Sequence, residues 1–294
     1  MSTTTVTQTQ AQQAQFRVSG DAETAQIEVP RGPVKAQLAF FESPADGTAP
    51  FHYVESPPEG QVQHNYGTQW NEVEINDIRG RESQFNLNDN AFAVVSGVES
   101  EEKDFTDDDH IKQVYYPEVE KVILDNVPGA KRVLLFDHTI RRSTPDAKRA
   151  PVLRAHIDQT PKSAEQRVEF HLPDEAEELV KGRYRIINVW RPLNGPVVSK
   201  PLAFANSVSV RDDSVIPVEH RYPTRTGETA GIKYSADQQW LYLSGMTNDE
   251  RLLLQCFDSE GTGARLPHTA FDDPRTKEHF PGRESIEVRA LVFG

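Results

Sequence analysis

The sequence predicts a mainly β fold with flanking helices, a sandwich or jelly roll, and three observations carry that reading. From Tyr184 onward short apolar runs recur, separated by turns that contain Pro or Gly. Helical patterning is confined to segments that precede those runs. No repeat of fixed period appears, so a solenoid or propeller is not expected.

Taken in order, residues 1–15 are rich in Thr and Gln and too polar to pack, which predicts a disordered tail without chemistry. Ala25 to Phe41 and Phe85 to Val95 read as strands joined by turns. Thr106 to Asn126 reads as a helix: Thr106 caps it, Asp107 to Asp109 favour the positive end of its dipole, and Val119, Val122, Ile123 and Val127 share one face. Pro117 starts or divides that helix. Val133 to Phe136 reads as a buried strand running on to Arg142, and the polar loop to Ala150 marks a soft boundary. Residues 16–145 are thus expected to pack on a core formed by 146–294, within one continuous domain.

After the strand Val152 to Asp158, Thr160-Pro161 sets a cap and a first-turn proline, with Ala164, Val168 and Leu172 on one helix face. A second short helix is expected from Asp174, where Asp174 and Glu177 resemble a capping box, to a stop at Gly182. Strands follow at Tyr184 to Arg191, Ala203 to Val210, Gly231 to Tyr234, Trp240 to Gly245, Leu252 to Phe257 and Ile286 to Phe293.

Composition narrows the function classes. The formal net charge is -13, with 45 acidic against 32 basic residues, so a nucleic-acid partner is not expected. Cys256 is the sole cysteine, which rules out an intrachain disulfide and suits a reducing, cytoplasmic setting. No apolar run approaches the ~18 residues of a membrane span, and Met1 to Gln15 shows no apolar signal region, so no membrane partner is expected. The expected partner is a small-molecule substrate, and a homodimer is compatible with these readings.

His156 and Asp158 form the only His-x-Asp of the chain. In a strand, side chains alternate with period two, so Arg154, His156 and Asp158 share one face while Leu153, Ala155 and Ile157 take the other. Two ligands at that spacing reach one metal. Alone, the triplet also suits a surface turn, because short motifs arise by chance. A late third ligand changes this: His268 comes one strand before Arg283-Glu284-Ser285, and His220 is its competitor. Two histidines and one carboxylate leave coordination positions of non-heme Fe(II) open for an oxoacid and O2.

Arg283 with Ser285 suits the far carboxylate of 2-oxoglutarate, since a guanidinium grips a carboxylate through two parallel hydrogen bonds. The competing reading is a solvated strand face in which Arg283, Ser285, Glu287 and Arg289 look outward. Asn188 is a candidate for orienting the cosubstrate and Trp190 for walling the pocket, with Arg191 on the other face of a regular strand. Arg141, Arg154 and Arg191, with Trp190, are the candidates for meeting a substrate. No phosphate-binding glycine loop, Cys/His zinc cluster or Gly-x-Ser-x-Gly elbow occurs.

Six separated strings carry a resemblance: Phe136 to Thr139, His156 to Thr160, Ile187 to Leu193, Cys256 to Ser259, Pro267 to Phe271, and Arg283 to Ala290. In this order they resemble the AsaB-type hydroxylase/desaturase family, which includes the fungal gibberellin desaturase, over about residues 85 to 294. The resemblance implies a double-stranded β-helix of cupin-like form, with Fe(II), 2-oxoglutarate and O2 as cofactors. It also implies oxidation of a specialised metabolite or amino-acid-derived substrate by hydroxylation, desaturation or ring closure, with release of succinate and CO2.

Carried over by residue, His156, Asp158 and His268 would be the catalytic metal ligands, and Arg283 with Ser285 would hold the cosubstrate. The interval from His268 to Arg283 is longer than in many related oxygenases, so Pro274 to Pro281 must fold back as an inserted loop. Two other classes remain as alternatives. A cupin-like isomerase or dioxygenase without 2-oxoglutarate would not need Arg283, and a non-catalytic β-sandwich binding module would need no metal.

Overall fold

A computed structural model of the chain describes residues 27–143, 147, 149–260 and 265–294. The tail expected at residues 1–15 lies outside them. Among the described residues, the chain first forms β1 (Val34–Glu42), β2 (Phe51–Tyr53), β3 (Gly67–Asp77), a short helix α1 (Leu87–Asn90) and β4 (Phe92–Val95). Next come α2 (Asp108–His110), α3 (Tyr116–Asn126), β5 (Arg132–Arg142), β6 (His156–Ile157), α4 (Pro161–His171) and α5 (Ala176–Leu179). The rest is strands: β7 (Tyr184–Pro192), β8 (Leu202–Ala205), β9 (Val215–Arg221), β10 (Thr226–Ile232), β11 (Trp240–Tyr242), β12 (Arg251–Asp258), β13 (His268–Ala270) and β14 (Glu284–Phe293).

These strands build two sheets that pack as a jelly roll. The nine-stranded sheet runs β1-β3-β11-β8-β13-β6-β10-β9-β2, and the five-stranded sheet runs β4-β12-β7-β14-β5. Strands on both sides of the expected boundary near Ala150 therefore share hydrogen-bonded sheets: β14 pairs with β5, and β12 with β4.

The five-stranded sheet is covered on both faces, by α3 and its neighbours on an apolar outer side and by the other sheet on an inner side that also carries polar groups, so β7 is buried along its whole length. Its outer face sets Ile187, Val189, Ile286 and Val288 against Val119, Val122 and Ile123 of α3. Toward the other sheet, Trp190, Leu252 and Leu254 pack with Phe204 and Leu241, and Phe92 meets Phe204 with ring centroids 4.6 Å apart. No helix among the described residues is long and apolar enough to cross a membrane.

Several local expectations need correction. Asp107, not Thr106, caps the first helix, its carboxylate accepting from Asp109 N and His110 N. That helix passes through a π turn at Ile111–Tyr115 before Pro117 takes the first turn of α3, where a missing N–H costs no hydrogen bond. Asn86 caps α1 inside the stretch Phe85 to Val95, so only its second half is strand. The start of α5 is Glu175 without a side-chain cap, and no Asp174 box forms. Ala203 to Val210 ends as a strand at Ala205 and becomes a 3-10 turn. The polar strands β3 and β9, and the first half of β10, carry too few apolar residues to have been read as strands.

Candidate metal centre and its two recesses

The short strand β6 lies between β13 and β10, with His156 in register with His268 on one side and Gly231 on the other. Gly231 makes that placement feasible: a Cβ there would fall 2.6 Å from Cδ2 of Phe41, whose ring covers the strand. Ala155 and Ile157 point the other way into the core that includes Phe40 and Trp240. The alternation read from sequence therefore holds across this segment.

The two imidazoles stand with centroids 4.4 Å apart. Asp158 Oδ1 lies 3.4 Å from His156 Nε2, and ligand-type atoms of His156, Asp158 and His268 all fall within 4.8 Å of one another. Each imidazole is oriented by the backbone carbonyl two residues before it: His156 Nδ1 is 2.8 Å from Arg154 O, and His268 Nδ1 is 3.1 Å from Leu266 O. With Nδ1–H donating to those carbonyls, both Nε2 lone pairs are left for a metal.

Asp158 is held from across the molecule. Asn188 on β7 donates to its Oδ2 at 2.7 Å, and Arg289 Nη1 on β14 lies 3.6 Å from the same oxygen. Burial would raise the Asp158 carboxyl, but the hydrogen bond with His156 and the charge of Arg289 hold it well below the usual carboxylate range. Burial and the neighbouring His156 push His268 down to about 4, so it is a neutral imidazole at pH 7. For His156, burial acts downward and the Asp158 contact outweighs it, leaving the group raised. A neutral imidazole, a second imidazole against an ionised carboxylate, and oriented Nε2 atoms fit a divalent cation with nitrogen and oxygen ligands.

Beside the triad is a narrow recess lined by Arg141, Trp190, His268, Arg283 and Glu287. Register across β5, β14 and β7 explains it, because Pro192–Ser285–Arg141 and Trp190–Glu287–Thr139 are opposed residues on one face. Arg283 and Ser285 are almost fully buried, which overturns the solvated-face reading of the last strand. The loop after His268 does fold back: Arg275 in it is pinned by Asp273 Oδ2 at 2.7 Å, Tyr242 Oη at 2.8 Å and Arg31 O at 2.7 Å.

The Arg283 guanidinium lies 5.3 Å from the Trp190 ring centroid and donates to Lys200 O at 2.5 Å. Its Nε has no partner, and no carboxylate lies within salt-bridge reach among the described residues. Burial and the nearby Arg141 push it down to about 9, and an anion placed beside it would offset both effects. Glu287 shares the recess, its carboxyl raised by burial and by Asp158. The chemistry fits a dicarboxylate reaching Arg283 with one end.

On the other side of His156 and Asp158 opens a cavity of about 690 Å³, walled by Phe41, Tyr66, Arg154, Arg167, His220 and Tyr222 among others. Arg141 and Arg154 therefore sit where a substrate could meet them. Arg191 does not: it is on the outer face, with its guanidinium 5.0 Å from the Phe105 ring and 5.5 Å from the Tyr115 ring, and it donates to Asn248 O. It leaves the candidate substrate set. His220 lies on β9, its Nε2 3.1 Å from Thr229 Oγ1, outside the triad. Sequence reasoning missed Arg289 and Glu287 as inward groups, although period-two spacing from Arg283 and Ser285 marks them. Tyr66, Arg167 and Arg225 left no such signal.

The chain matches the family described as Oxidoreductase/YMDC permease-like domain over residues 38–293. It is 34% identical to the hydroxylase/desaturase poxK of Penicillium oxalicum, across 90% of this chain and 92% of that protein. Identity to the Fe(II)/2-oxoglutarate-dependent dioxygenase nvfI of Aspergillus novofumigatus is 30%, across 88% of this chain and 96% of that one. The fold superposes on the solved structure of the iron and alpha-ketoglutarate-dependent endoperoxidase NvfI with a TM-score of 0.81, at 29% identity, covering 90% of this chain and 99% of that chain.

Proposed function

The chain belongs to this oxidoreductase family, the hydroxylase/desaturase group of Fe(II)/2-oxoglutarate-dependent dioxygenases, and from that premise we propose how its own residues serve the reaction. It is a non-heme oxygenase of specialised metabolism that uses Fe(II), 2-oxoglutarate and O2. That set supplies the oxidising power that removes hydrogen from an unactivated C–H bond, with release of succinate and CO2.

His156, Asp158 and His268 hold the iron. The observation that carries this is the pairing of each imidazole Nδ1 with the carbonyl two residues before it, which leaves both Nε2 atoms free in a cluster whose ligand-type atoms, Asp158 included, lie within 4.8 Å of one another. Asn188 and Arg289 fix that carboxylate from the opposite sheet. Arg283, with Ser285 and Arg141 beside it, takes the far carboxylate of the cosubstrate, and Trp190 backs the guanidinium. The large cavity seats a small-molecule substrate, and its position there selects hydroxylation, desaturation or ring closure. A cytosolic setting suits the buried free thiol of Cys256.

Anaerobic titration with Fe(II) and then 2-oxoglutarate tests the reading. The weak visible charge-transfer band is expected in the wild type and absent in His156→Ala and His268→Ala. A band that persists at full intensity in both variants would exclude this ligand set.

A further inference from the structure

We propose that the substrate is an apolar carboxylic acid whose carboxylate is held by Arg167 and Arg225 at the lip of the large cavity. This rests on the oxygenase reading above and names the substrate class of that site. Arg167 comes from α4 and Arg225 from the turn that joins β9 to β10, and both line the cavity that opens onto His156 and Asp158.

Each guanidinium is backed by an aromatic ring and leaves its N–H groups unused. Arg167 lies 5.1 Å from the Phe136 ring centroid, and Arg225 lies 3.8 Å from that of Tyr222. Among the described residues, neither donates a hydrogen bond to a protein acceptor or has a carboxylate within 4.0 Å. Rings hold the planes while the donor edges stay free, which is the arrangement that receives a carboxylate in two parallel bonds. Burial depresses the Arg167 guanidinium, Asp137 opposes that, and Arg289 and Arg225 add to it, so an arriving anion would relieve the repulsion.

The carboxylates nearby are otherwise engaged. Asp137 pairs with Arg289, and Asp158 belongs to the metal centre. Glu228 accepts from the Thr160 hydroxyl and lies 3.7 Å from Lys162. Glu169 is exposed at the rim. Arg167 is half-buried and Arg225 exposed at the mouth, and two cations there without a paired carboxylate favour an anion at that point.

The remainder of the wall asks for an apolar body. Phe41, Val218 and Phe170 present hydrocarbon, and a volume of about 690 Å³ suits a drug-sized molecule better than a free amino acid. An acid with a bulky hydrocarbon skeleton satisfies both demands: its charge stops at the lip and its carbon frame extends toward the iron centre.

The test is calorimetric titration of the protein loaded with Fe(II) and 2-oxoglutarate under anaerobic conditions. The probes are decanoic, naphthoic and abietic acids, each beside its methyl ester. At least one acid should bind about tenfold or more tightly than its ester, the scale of a charge-assisted hydrogen bond. That preference should vanish in the Arg167→Gln, Arg225→Gln double variant, with ester binding unchanged. Equal affinity of acid and ester throughout, absence of acid binding across the series, or an acid preference that survives the double substitution overturns the proposal. The charge-transfer band is recorded in the same samples. Its loss would indict the iron site, whereas an intact band with no acid preference would indict only the substrate class.

Discussion

Asn188 Nδ2 donates to Asp158 Oδ2 at 2.7 Å, and this bond, with Arg289 3.6 Å from the same oxygen, ties the five-stranded sheet to Asp158 at the candidate metal centre. It occupies one carboxylate oxygen and leaves Oδ1 on the side of His156. Groups that orient a metal ligand typically change affinity by about 10–100-fold when removed. Asn188→Ala should therefore weaken Fe(II) binding by about that factor in anaerobic titration, with little change in circular dichroism. Unaltered iron affinity would show that Asp158 is positioned without it.

Arg283 and Arg191 are both buried and both stacked on aromatic rings, yet they face opposite sides of the five-stranded sheet. Arg283→Ala should raise the KM for 2-oxoglutarate about 10–100-fold, as expected for loss of a charge-assisted pair, while iron still binds. Arg191→Ala should leave that KM unchanged and lower thermal stability through lost packing over Phe105 and Tyr115. The opposite pattern would reverse the assignment.

His220 was the sequence-level competitor for the third ligand, but its Nε2 contacts Thr229 rather than the triad. His220→Ala should retain stoichiometric Fe(II) binding. Loss of the metal in that variant would move the third ligand to β9.

Gly231 has an ordinary backbone but no room, because Phe41 lies where a side chain would begin. Gly231→Ala forces a shift of Phe41 or of the strand that carries His156, and overpacking of this kind costs about 1–3 kcal/mol. A lowered Tm together with weaker iron binding is expected. A Tm equal to that of the wild type would mean the ring yields freely.

Glu102 is a buried carboxylate that accepts from Phe105 N at 2.8 Å and Asp104 N at 3.0 Å and pairs with His110. Burial raises its carboxyl, and these hydrogen bonds overcome that, so the group titrates below its ordinary 4.5. A depressed folded-state value means stabilisation present above pH 4.5 and lost as pH falls through the folded value. Glu102→Gln should flatten this part of the acid limb of a stability profile. A limb of unchanged steepness would assign the acid sensitivity elsewhere.

How far the sequence went depended on whether a feature was local. Strands such as β7 and β14 announced themselves because both faces are apolar or inward, and the His156/Asp158 pair because alternation is a property of a few consecutive residues. The strand β13 has three residues, too few for any periodic signal, so His268 was found from chain order and resemblance rather than from pattern. The strands β3 and β9 are polar along one side and stayed hidden. Arg191 was misplaced among substrate contacts because adjacent residues of β7 differ by a whole sheet face, and charge alone does not say which face is which. The lip arginines were unreadable, since α4 and the β9–β10 turn meet only in the folded chain.

The proposed iron ligands and cosubstrate anchor stand on or directly beside β6, β13 and β14, whereas Arg167 and Arg225 stand on a surface helix and a hairpin turn. A hairpin turn tolerates replacement and length change far better than paired strands do, and an outward position of a helix tolerates replacement. New clients can thus be admitted by redrafting a helix face and a hairpin tip, with the paired strands beneath left undisturbed.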